Sequence, residues 1–103
     1  MLKYTVIASA LVAVSSAYKL ITVCNNAHFK GNCVTWIGNL NTCYGTGDYN
    51  NAISSANIFG GIVCRLYRDS RCRGAGPLIT GPAYNLAEQN FNDMASSFYC
   101  YFT

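Results

Sequence analysis

Charge is scarce in this chain. Lys, Arg, Asp and Glu make up 11% of 103 residues, under half of the roughly 25% usual in globular domains. Beyond residue 17 there are six basic side chains (Lys19, Lys30, Arg65, Arg68, Arg71, Arg73) against four acidic ones (Asp48, Asp69, Glu88, Asp93), a net charge of only +2. That balance, with no recognisable nucleic-acid module, argues against a nucleic-acid partner. Histidine occurs once, at His28, with no serine nearby in sequence. A Ser/His/Asp centre would have to use it, and a paired-carboxylate hydrolase would have to draw on four acids, so no enzyme is expected. Cys-x-x-Cys pairs and Asn-x-Ser/Thr sequons are absent, which removes the usual zinc signature and N-glycosylation. No stretch longer than two turns carries a helical period, and no long apolar run follows residue 17.

What is present begins with a leader. Residues 1–17 hold Lys3, an apolar run from Val6 to Val14, and small residues at Ser15 and Ala17, the arrangement of a secretory signal with its cleavage site. The run is short of the ~20 apolar residues a bilayer crossing needs. The expected product is a secreted, extracellular domain over residues 18–103, small enough to bury only about 60 to 70% of its unfolded surface. Six cysteines, Cys24, Cys33, Cys43, Cys64, Cys72 and Cys100, all lie in this part. An even number in a small secreted chain predicts three disulfides, with 15 pairings open. Short β-prone runs at Tyr18–Cys24, Cys33–Ile37, Asn57–Phe59, Ile62–Tyr67, Leu78–Thr80 and Ser97–Phe102 are separated by turn residues, an all-β pattern. Leu86–Gln89 could form one helical turn, with no evident equivalent in the first half, and Trp36 is expected in the core.

The chain is organised around a repeat. Asn50-Asn51-Ala52-Ile53-Ser54-Ser55 returns 42 residues later as Asn92-Asp93-Met94-Ala95-Ser96-Ser97, each preceded by an aromatic, Tyr49 or Phe91. Asn, Asp and Ser bond their own backbone in turns and present hard oxygens, so the pattern builds a rigid, oxygen-lined loop. Upstream, Cys24-x4-Phe29-x-Gly31 and Tyr67-x4-Cys72-x-Gly74 repeat with a spacing of 43 between the glycines. Each reads as a hairpin closed by a glycine able to take positive φ. One half, strands 18 to 60, is therefore repeated as 61 to 103.

These residues resemble the βγ-crystallin superfamily, whose Greek-key motifs carry an aromatic, four residues, Phe or Tyr, one residue and Gly. Its calcium-binding members add the loop N/D-N/D-x-x-S/T-S, which both copies here match at every specified position. Cys24 replaces the aromatic in the first motif and Cys72 the Phe or Tyr in the second. The resemblance covers about 21 to 102 and implies a disulfide-stabilised sandwich of two Greek-key motifs with about eight strands. It also implies two calcium ions held reciprocally. Carried over, Ser54 and Ser96 supply hydroxyls, Ala52 and Met94 carbonyls, and Asn51 and Asp93 amide or carboxylate oxygens. Low ligand charge predicts modest affinity, about 10⁻⁵ to 10⁻³ M, with the weaker site at the Asn50-Asn51 loop unless the other half lends a carboxylate. The same serines could instead only tie down the loops by local bonds.

Four of the six basic residues, Arg65, Arg68, Arg71 and Arg73, form a local cluster. This patch would face an anionic membrane, a cell-wall polymer or an extracellular protein target, unless it is simply a solvated hairpin beside Asp69. The resulting expectation is a secreted, non-enzymatic, calcium-binding βγ-crystallin-like protein acting as an extracellular binding or effector protein. Small cysteine-rich secreted proteins of this fold include killer toxins, antimicrobial proteins and a metalloproteinase inhibitor. The alternatives are therefore an antimicrobial protein acting on membrane or cell wall through the basic patch, and a protease inhibitor presenting Ala75-Gly76-Pro77-Leu78.

Overall fold

The structure is a computed structural model and describes residues 17–103. The signal segment expected over residues 1–17 lies, Ala17 apart, outside the described residues. Seven strands form among the described residues: β1 Tyr18–Asn26, β2 Lys30–Gly38, β3 Cys43–Gly45, β4 Ser55–Ile58, β5 Ile62–Tyr67, β6 Ala75–Ile79 and β7 Ser97–Phe102. They make two antiparallel sheets, one ordered β2-β1-β4 and the other β3-β7-β5-β6. β3 leaves the first half to pair with β7 of the second, which interlocks the motifs.

Alternation explains why these segments are strands with one face inside. Ile62, Cys64 and Leu66 of β5 pair with Phe102, Cys100 and Phe98 of β7, and five of these six, all but Phe102, are buried. Of the intervening residues, Arg65, Tyr67, Tyr99 and Tyr101 are partly exposed on the other face, as a period of two requires, while Val63 is buried there beside Tyr101. Trp36 of β2 reaches across the sandwich to stack on Phe98, with centroids 4.9 Å apart and planes at 7°. Leu20, Ile53, Leu66, Ile79 and Leu86 complete the shared core.

Two expectations change in detail. In place of an eighth strand there is a single bridge, Ala56 to Ala83, made by Ala83 N–H to Ala56 C=O at 2.7 Å and Ala56 N–H to Ala83 C=O at 3.0 Å. Pro82, immediately before, has no N–H to extend the ladder. The helical turn at Leu86–Gln89 forms as a 3-10 turn, and the first half does have a counterpart, Gly47–Tyr49.

The six cysteines pair as Cys24–Cys33, Cys43–Cys72 and Cys64–Cys100. The first joins facing residues of β1 and β2, and the third facing residues of β5 and β7. Cys43–Cys72 ties β3 to the hairpin between β5 and β6. Gly31 and Gly74 take φ of +80° and +69°. At Gly31 a Cβ would come within 2.2 Å of the Asn25 carboxamide oxygen, so this turn needs glycine twice over.

Candidate metal centre

The two repeated loops meet back to back. Each follows one of the 3-10 turns, and its second residue adopts a left-handed conformation, φ +55° at Asn51 and +57° at Asp93. Asn and Asp tolerate this region better than other side chains. Their backbone N–H groups then cross to the opposing loop: Asn51 donates to the Ala95 carbonyl and Asp93 to the Ile53 carbonyl, both at 3.0 Å. The two bonds are equivalent under the 42-residue repeat, so the loops are related by an approximate two-fold axis.

The crossing brings side chains together that are far apart in sequence. Ser54 Oγ donates to Asp93 Oδ1 and Ser96 Oγ donates to Asn51 Oδ1, each at 3.2 Å. Ser54 and Ser96 are buried, while Asn51 and Asp93 are exposed, so each pair lies at the rim of the molecule with one side toward solvent. Among the described residues the carbonyls of Ala52 and Met94 accept no backbone hydrogen bond. Of the six residues singled out for metal binding, four meet as two Ser–Asx pairs of hydroxyl with carboxylate or carboxamide, and Ala52 and Met94 lie in the same two loops. Hard oxygens of this kind suit calcium, and no softer donor stands among them. No group of three His, Cys, Asp or Glu occurs among the described residues, so amides, hydroxyls and backbone would carry most of any coordination.

The crossing sets which serine faces the one carboxylate. The first loop has no acid of its own, yet its serine, Ser54, faces the Asp93 carboxylate. The neutral combination is Asn51 with Ser96, so the low-charge position lies at the second loop's serine.

The second hydroxyl of each loop does something different. Ser55 Oγ donates to the Asn26 carbonyl at 2.7 Å and accepts from Phe29 N–H at 3.1 Å. Ser97 Oγ donates to the Asp69 carbonyl and accepts from Cys72 N–H at 2.9 Å. These serines fold each hairpin back over its sheet. The signal was in the sequence, since Asn26 and Phe29 recur 43 residues on as Asp69 and Cys72, at the hairpin spacing rather than the loop spacing.

The remaining candidates are dispersed. Arg65 is half-buried on β5, where its Nη1 donates to the Gly76 carbonyl at 2.8 Å. Arg68, Arg71 and Arg73 are exposed on the hairpin that follows, so the four divide between sheet and hairpin. Ala75-Gly76-Pro77-Leu78 is not an exposed loop; it lies in β6, with Gly76 packed under Phe91. His28 is exposed, its backbone N–H bonded to the Tyr84 carbonyl. Trp36 is 2% exposed and belongs to the core.

No family model matches this chain, and no curated protein matches it in sequence. Solved structures do. A βγ-crystallin domain from Flavobacterium johnsoniae is 26% identical over 82% of this chain and 96% of its own, with a TM-score of 0.67. The N-terminal domain of protein S is 24% identical over 82% and 97%, at 0.66. A βγ-crystallin domain from Clostridium beijerinckii is 18% identical over 82% and 100%, at 0.68. The chain has the βγ-crystallin domain fold.

Proposed function

We propose that this protein is a secreted, calcium-binding module that acts by binding rather than catalysis, as an extracellular binding or effector protein. The observation that carries the reading is the reciprocal approach of the two loops. Each loop contributes its first serine hydroxyl and a carbonyl, from Ala52 or Met94, while the other contributes Asn51 or Asp93. Calcium, when bound, would replace the Ser–Asx hydrogen bonds with coordination by the same oxygens and so clamp one motif to the other. Three disulfides fit an oxidising, extracellular setting, and among the described residues no helix is long and apolar enough to cross a membrane. The exposed Arg68, Arg71 and Arg73 keep a second reading in view, an antimicrobial action on membrane or cell wall. Leakage of anionic vesicles that disappears on reversing these three charges would support it.

The test of the calcium reading is thermal. The midpoint of the oxidised protein is measured in EDTA and then across a calcium series to several millimolar. A ligand at 100 times its Kd stabilises by ~2.7 kcal/mol, and each kcal/mol moves a domain this small by about 4 to 8 °C. A saturable rise is expected. It should fall more in Ser54→Arg, beside the carboxylate, than in Ser96→Arg, and vanish in the double variant. An unchanged midpoint in the parent protein would leave the loops a purely structural tie.

A further inference from the structure

The two sheets turn very different outer faces to solvent. On the β2-β1-β4 sheet, Thr35, Thr22 and Asn57 lie side by side in register, and the two threonine hydroxyls bond each other at 2.7 Å. That row is small, uncharged and without aromatics, the charges of these strands being Lys19 and Lys30 toward their ends. On the β3-β7-β5-β6 sheet the corresponding row runs from Cys43 through Tyr99 and Arg65 to Leu78. Tyr101 and Tyr67 flank it on the same face, partly exposed like Tyr99. Tyr99 and Tyr101 have ring centroids 6.3 Å apart. The bond from Arg65 to the Gly76 carbonyl holds its guanidinium toward β6 and uses one of its five N–H donors.

The hairpin over residues 68 to 74 borders this face. Cys72 is disulfide-bonded to Cys43 at one end of the tyrosine row, and its N–H is held by Ser97, an outward residue of β7. Arg68, Arg71 and Arg73 thus line one margin of the aromatic surface. Across the four strands and the hairpin there are four arginines and a single carboxylate, Asp69.

We propose that this face binds a linear, carboxylate-bearing polysaccharide. Phenol rings pack against the C–H faces of sugars by dispersion while their hydroxyls stay wet. Guanidinium groups pair with planar carboxylates in a two-pronged geometry that a neutral glycan cannot use. Size decides against a globular protein partner. With strands about 4.8 Å apart and a rise of about 3.3 Å per residue, the open sheet measures about 15 by 20 Å, or about 300 Å². A stable protein interface buries about 800 Å² on each side. A narrow polymer suits a strip of this width, and the half-buried tyrosines of this face offer no protruding apolar wedge with which to enter a bilayer.

Binding is measured on the oxidised protein by isothermal titration calorimetry in EDTA, so that success or failure of the calcium reading leaves the result untouched. Polygalacturonate is the probe, dextran the neutral control, and vesicles of phosphatidylserine and phosphatidylcholine in equal parts the lipid arm. The parent protein should bind polygalacturonate and not dextran. Tyr99→Thr with Tyr101→Thr keeps strand-forming residues in β7 and should weaken binding by about tenfold or more. Arg71→Glu with Arg73→Glu, on the exposed hairpin, should abolish it, and near-UV circular dichroism checks that each variant is folded. No binding to polygalacturonate overturns the proposal, as does equal binding to dextran. Affinity unaffected by the tyrosine pair reduces the effect to general charge attraction and also overturns it. Tighter binding to the vesicles than to the polymer overturns it in favour of a lipid surface.

Discussion

Asn51 and Asp93 hold equivalent places in the two loops, share a left-handed backbone and differ by one charge. In the proposed clamp that difference should govern the two calcium affinities. Asn51→Asp keeps a residue type at home in this conformation and gives Ser96 a carboxylate to face. It should tighten the weaker site by about tenfold, ~1.4 kcal/mol, seen as convergence of two calorimetric binding steps. At Gly76 the constraint is steric. A Cβ there would lie 2.4 Å from Phe91 Cζ, and Phe91 is 2% exposed with little room to withdraw. Gly76→Ala should therefore cost about 1 to 3 kcal/mol, read as a lower thermal midpoint that Phe91→Leu in the same chain partly restores. The chemistry of each loop was legible because Asn, Asp and Ser appear twice in one order. The partnership was not, since Ser54 and Asp93 are 39 residues apart and Ser96 and Asn51 are 45 apart. Whether the other half lends the first loop a carboxylate was likewise set by this crossing and not by the spacing.

Among elements, the folded hairpins are the distinctive parts, and each hangs on one buried serine. Ser55→Ala leaves the Phe29 N–H and Asn26 carbonyl without their partner, and Ser97→Ala does the same to Cys72 and Asp69. Each should cost about 1 to 3 kcal/mol. Their local consequences should differ, because the second hairpin is also held to β3 by Cys43–Cys72. Amide exchange should speed up more at Phe29 in Ser55→Ala than at Cys72 in Ser97→Ala. The strongly β-prone runs Ile62–Tyr67 and Ser97–Phe102 could be read directly to their ends. Cys43–Gly45 could not, being three residues long, ending in glycine and depending on a partner in the other motif. β4 begins at Ser55, two residues before the β-prone run Asn57–Phe59, because Ser55 also completes the repeated loop pattern. The turn at Gly47–Tyr49 was hidden by Gly47 and Asp48, which suit many turns equally.

At the scale of the molecule, the duplication was visible in two periods, 42 and 43, and the all-β sandwich followed from it. The disulfide pairing was not, because spacing alone leaves 15 arrangements and only the register of β1 with β2 and of β5 with β7 selects two of the bridges. Cys24–Cys33 lies wholly in the first half and Cys64–Cys100 wholly in the second, while Cys43–Cys72 alone crosses between them. The turn joining the halves is Gly60-Gly61, both exposed. Proteolysis there would leave each fragment with its own internal bridge and a single covalent link to the other. The nicked protein should keep its full apparent mass on a non-reducing gel and fall to about half of it after reduction, since the cut leaves halves of equal length. Each fragment would still carry one serine and one Asx of the loop pair, so neither alone could complete a clamp. A cut molecule would then persist as a covalent dimer of half-domains, with one bridge left to keep the two loops at high local concentration.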